Sequence, residues 1–150
     1  MKGVFQVASV EETWKLAAEF ARELKPGDVV CLEGDLGAGK TTFTQGLAAA
    51  LGVKGRVTSP TFCLVQEHAA ASESPVPLLV HMDLYRLGGE EDVLAIGWED
   101  YLARGALIVL EWPERAGALI PPSARKVRLL HLGDEEKRIV AIDTDAPKIV

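Results

Sequence analysis

Val29–Gly52 reads VVCLEGDLGAGKTTFTQGLAAALG. An apolar run too short for a helix meets a glycine-rich loop, which opens directly into a helical pattern stopped at Gly52. Gly34, Gly39, Lys40 and Thr41 satisfy G-x-x-x-x-G-K-[ST], with strand before and helix after. Small residues let backbone N–H groups curl around phosphate oxygens, and the helix N-terminus adds positive potential. The predicted nucleotide cradle is therefore Gly34, Asp35, Leu36, Gly37, Ala38, Gly39, Lys40, Thr41 and Thr42. In it Lys40 reaches the β- and γ-phosphates, and the Thr41 hydroxyl is a ligand for Mg2+.

Strands and helices alternate outward from this loop. GVFQVAS reads as a strand, and Ser9 with Glu12 is a capping box opening a helix from Val10 to about Lys25, where Pro26-Gly27 stops it. Thr61–Glu67 and Leu78–Asp83 read as strands, separated by an irregular and mobile loop, Ala69–Pro77. Gly89–Arg104 reads as two short helices divided at Gly97, and Ala106–Glu111 as the most apolar strand. KVRLLHL and KRIVAID then face each other across Gly133-Asp134 as an antiparallel hairpin, before a C-terminal tail. The expected fold is α/β: a three-layer P-loop NTPase-like domain over 1–150, mainly parallel, with the antiparallel hairpin at the C-terminal edge of the sheet.

Composition narrows the partners. Sixteen basic against 22 acidic residues give a net charge of −6, which argues against a basic face gripping naked nucleic acid but not against nucleic acid held by a partner. Cys31 and Cys63 belong to no metal-binding or disulfide pattern, and Cys31 reads as a small buried hydrophobe. No stretch has the length of a signal or membrane segment, so the expected location is cytoplasmic.

The chain contains no Asn, which removes the N-K-x-D motif that reads guanine, and no D-x-x-G follows any aspartate. A compact ATPase working with a partner and a small-molecule kinase both remain. Either needs a second acid at the end of a neighbouring apolar strand, near Mg2+ or its waters. Asp83 and Glu111 compete for that role, and the more hydrophobic strand favours Glu111. The histidines are scattered, and His81, inside an apolar strand, reads as a satisfied core residue.

GDLGAGKTTFTQGLAAALG, followed by VTSPTF, HMDLYRL and EWPER, resembles the TsaE (YjeE) family of small bacterial ATPases. The similarity runs from near Thr13 to about Pro122, in the family's order and spacing. The resemblance implies ATP or ADP at Gly34–Thr42, Mg2+ held by Thr41 and Glu111, and Asp83 as a Walker-B-like aspartate near the metal and its water. Lys40, Asp83 and Glu111 would carry the catalysis. It further implies partners, TsaD and TsaB, that make threonylcarbamoyladenosine at position 37 of tRNAs reading codons that start with A; tRNA is then reached through the complex.

Other positions keep two readings. Ser59–Phe62 is either a switch-like loop near the γ-phosphate or a Pro-stiffened turn. Trp112 is a core or interface residue, or part of an EW pair near the nucleotide as in the family. Thr13 contacts the base or is a helix-surface Thr, and Arg86 serves phosphate, a partner or a surface salt bridge. No arginine finger or general base stands out, which predicts slow turnover by the isolated chain. Against a kinase stands the lack of Arg or Lys in Ala69–Pro77, where a phosphate-covering lid would need one. An ATP/ADP-sensing scaffold without turnover is the non-enzymatic alternative.

Overall fold

The computed structural model describes residues 1–35, 38–60, 64–133 and 137–147. Leu36 and Gly37 of the loop, Thr61 and Phe62 of the SPTF block, Cys63, and the end of the tail lie outside the described residues. The elements are β1 (Gly3–Val7), α1 (Val10–Ala21), β2 (Val29–Glu33), α2 (Lys40–Ala50), β3 (Val65–Ala69), β4 (Leu78–Asp83), α3 (Glu90–Ala95), α4 (Trp98–Ala103), β5 (Leu107–Glu111), a 3-10 segment (Pro113–Leu119), β6 (Arg125–His131) and β7 (Arg138–Ile142).

The strands form one sheet in the order β1-β7-β6-β2-β5-β4-β3. β6, β2, β5 and β4 are mutually parallel. Antiparallel pairs close both sides: β3 on β4, and β7 on β6 with β1 beyond it. β5 and β4 are buried along their whole length, as strands covered on both faces must be.

Side-chain alternation sorts the central strands into two cores. One face carries Val30, Leu32, Leu79, Leu107 and Val109 against Leu16 and Phe20 of α1 and Phe43 and Leu47 of α2. The other carries Cys31, Val80, Met82, Ile108 and Leu110 against Val93, Trp98 and Tyr101 of α3 and α4. The result is the expected three-layer α/β sandwich. Burial pushes the Cys31 thiol up to about 11, so it stays protonated and acts as a small apolar filler. Among the described residues no helix is long and apolar enough to cross a membrane.

Three expectations are corrected. The α-helix ends at Ala21 rather than Lys25, because Glu23 and Leu24 tighten into i to i+3 bonds on Phe20 and Ala21 that bury Leu24. The hairpin does not lie at the edge of the sheet: β6 pairs with β2 in the centre, and β1 takes the outer position. Finally, the loop before β4 is fastened: Ala70 N–H bonds Pro77 O, Ala71 N–H bonds Leu51 O, and Val76 is fully buried.

Candidate nucleotide site

Parallel strands deliver their C-terminal ends to one rim, and that rim holds the site. β2 ends at Glu33, and the glycine loop returns to the N-terminus of α2. A Cβ on Gly34 would stand 2.8 Å from Leu129 O, so only glycine lets the loop leave β2 this close to β6. Gly39, at φ +101, caps α2 in the left-handed region, which aims the following N–H groups along the helix axis toward the loop.

β4 and β5 contribute the acids. Asp83 and Glu111 are partners in the strand register, and both are buried. They lie on the α2 side of the sheet, in phase with Leu79 and Val109. Lys40 Nζ is 3.3 Å from Glu111 Oε1, and His81 Nε2 is 2.7 Å from Glu111 Oε2. Burial by itself raises the Glu111 carboxyl. The hydrogen bond and charge of His81, then those of Lys40, outweigh it and hold the group below the ordinary carboxylate value. Asp83 accepts the Tyr85 N–H at 3.0 Å through one oxygen.

A cavity of about 620 Å³ opens over this rim, within the range of small-ligand sites. Gly34, Asp35, Gly39, Lys40, Thr41, Thr42, Asp83, Glu111 and Trp112 line it, together with Ser59, Arg86 and Arg138. The structure thus gathers the described part of the predicted cradle with both candidate acids, except Ala38, which is buried in the core. The donor set suits Mg2+: one hydroxyl and two carboxylates facing a phosphate-sized space leave room for the waters this ion retains.

Trp112 is no core residue. Its backbone stands at φ +59, uncommon for a bulky side chain, and its ring lies 43% exposed against that of Tyr85, centroids 4.8 Å apart. Thr13 is not a helix-surface residue either. It is buried, donates to Ser9 O at 3.1 Å, and lines a smaller recess beside Gly39, Thr42 and Arg138.

Two residues escaped the sequence reading. His81 is in the core as expected, but its ring grips Glu111, and period-two alternation along LLVHMD was the available signal, since it sets His81 on the face of Asp83. Arg138 Nε donates to Ala38 O at 3.1 Å, bracing the glycine loop from β7. No local pattern marks it, because the contact exists only once β6 has paired with β2.

The fold and the site define a P-loop NTPase-like protein. Residues 7–140 match the family model described as threonylcarbamoyl adenosine biosynthesis protein TsaE. The chain belongs to the TsaE family. It is 38% identical to the tRNA threonylcarbamoyladenosine biosynthesis protein TsaE of Bacillus subtilis, covering 90% of this chain and 82% of that one. The TsaE protein of Aquifex aeolicus is 47% identical over 71% of this chain and 74% of its own. The crystal structure of Bacillus subtilis YdiB superposes with a TM-score of 0.72 at 32% identity, covering 93% of this chain and 83% of that one.

Proposed function

We propose that this chain, acting as one cytoplasmic domain, is an ATPase that binds ATP with Mg2+ and hydrolyses it slowly, in support of a TsaB–TsaD assembly. That assembly makes threonylcarbamoyladenosine at position 37 of tRNA, and tRNA is reached through it. The observation that carries the reading is the meeting of Lys40, Thr41, Asp83 and Glu111 in one cavity at the strand ends.

Lys40 neutralises charge on the β- and γ-phosphates, and the backbone of the glycine loop holds their oxygens. Thr41, Glu111 and Asp83 are the residues that would hold Mg2+, which when bound neutralises charge across the β,γ-bridge. His81 orients Glu111 from below. Asp83 and Glu111 also offer the acceptors that orient an attacking water. In the reaction the water oxygen bonds the γ-phosphorus as the bond to the β,γ-bridging oxygen breaks. ADP leaves with that electron pair, and the water's proton passes through phosphate to solvent. The chain's acidic balance suits a protein whose partner, not itself, grips the tRNA. Thr13 and its recess would take the base, with Trp112 at the mouth of the phosphate cavity.

The test is ATP hydrolysis by the isolated chain and by the chain mixed with TsaB and TsaD, alongside co-purification with and without ATP. Slow turnover that rises with the pair supports the reading. Full-speed turnover alone overturns the partner dependence, and transfer of phosphate to a metabolite instead of water would return the kinase.

A further inference from the structure

Resting on that reading, we infer that Arg86 is the γ-phosphate-contacting arginine of this site, supplied by the chain's own β4–α3 connection. Sequence alone left it between phosphate, a partner and a surface salt bridge. The salt bridge is absent: Arg86 has no ion-pair or hydrogen-bond partner among the described residues, although it lines the cavity with Lys40, Thr41, Asp83 and Glu111. The other two cations lining the cavity are engaged, Lys40 with Glu111 and Arg138 with Ala38 O.

The connection is built to present this side chain. Leu87 N–H bonds Leu84 O at 3.0 Å, closing a turn with Tyr85 and Arg86 at its tip. Leu84 and Leu87 are buried and root the turn in the core. Leu84 N–H bonds the backbone carbonyl of Glu111 at 3.1 Å, and the Asp83 carboxylate accepts the Tyr85 N–H, so the turn is tied to the ends of both acid-bearing strands. From outside, Arg115 donates to Leu87 O at 3.3 Å and lies over the Tyr85 ring, which also stacks on Trp112. A turn held from four sides places one unpaired guanidinium at the phosphate cavity.

A guanidinium offers a planar fork that matches phosphate oxygens in two parallel bonds, which lysine does not. On the γ-phosphoryl group it favours ATP over ADP. No proton or electron passes through Arg86 itself.

The experiment is calorimetric binding of a non-hydrolysable ATP analogue and of ADP to the isolated wild-type chain, Arg86→Ala and Arg86→Lys, with melting curves for each. Arg86→Ala is expected to weaken the ATP analogue about tenfold or more, leave ADP within about twofold, and melt with the wild type. Arg86→Lys should fall between the two, because charge remains and the fork is lost. Unchanged affinity for both nucleotides overturns the inference, and so does an equal loss for both, since neither singles out the γ-phosphate. If the wild type binds neither nucleotide, the ATPase reading itself falls and takes this one with it.

Discussion

The two ends of the parallel strands carry two charged clusters of similar composition and opposite character. At the starting end, Arg125 Nε donates to Asp143 at 2.6 Å and its terminal nitrogen to Glu23 at 3.1 Å, while the amine of Met1 also reaches Glu23. The Arg125 guanidinium covers the Phe20 ring at 4.8 Å. These charges answer one another and border no site of the phosphate loop; the cluster fastens β6 and the end of β7 to α1. At the finishing end, Lys40, His81 and Glu111 form an equally close chain, but it faces a cavity beside Asp83, Thr41 and Arg86, which has no partner among the described residues. A charge cluster whose members bond one another across three elements holds structure together. One with capacity left over, aimed into a space, is built to receive something.

The sharpest way to break that contrast is Lys40→Ala. Nucleotide affinity or turnover should drop by about a hundredfold or more in equilibrium binding and phosphate release, with the fold retained. Unchanged binding and turnover would remove the loop from the function. Arg125→Ala should do the reverse. It gives up two charge-assisted bonds and a ring contact, for a loss of about 1–3 kcal/mol in urea unfolding, and leaves nucleotide affinity untouched. A matching loss of affinity would mean that the two ends are coupled.

The smallest effect concerns acid. The bond from the Met1 amine holds Glu23 below its ordinary value of 4.5; burial opposes it, and the bond from Arg125 adds to the lowering. A carboxyl lowered by folding contributes stability above its unfolded value and loses it as pH falls through its folded one. Wild type and Glu23→Gln should therefore differ in urea melts at pH 7 and converge as pH drops well below 4.5. A gap that persists at pH 3 or lower would show that the cluster acts by packing instead of charge.

Much of this is legible in the sequence, and the boundary between what is and is not has a physical meaning. The glycine loop, the apolar strands and the acids ending them are local: each is written in a window of ten residues or so, and Asp83 and Glu111 emerged as register partners. Strand order is not local, and whatever depended on it stayed hidden. Arg138 meets Ala38 only because β6 lies beside β2, which a hairpin assumed to sit at the sheet's edge cannot provide. The grip of His81 on Glu111 needed β4 to neighbour β5, and Arg86 gained meaning only when no salt bridge to it was found among the described residues.

The central place of β6 also bears on how the protein is made. A ribosome delivers Gly34–Thr42 early, but β6 and β7, at Arg125–Ile142, come last. Until they emerge, one side of β2 shows bare N–H and C=O groups, a template for pairing with the wrong chain. The phosphate loop meanwhile lacks Leu129 against Gly34 and Arg138 under Ala38. A nascent or truncated chain ending before β6 would therefore carry the motif without the pocket, and would be prone to clump. The cavity at the strand ends is complete only with the closing strands.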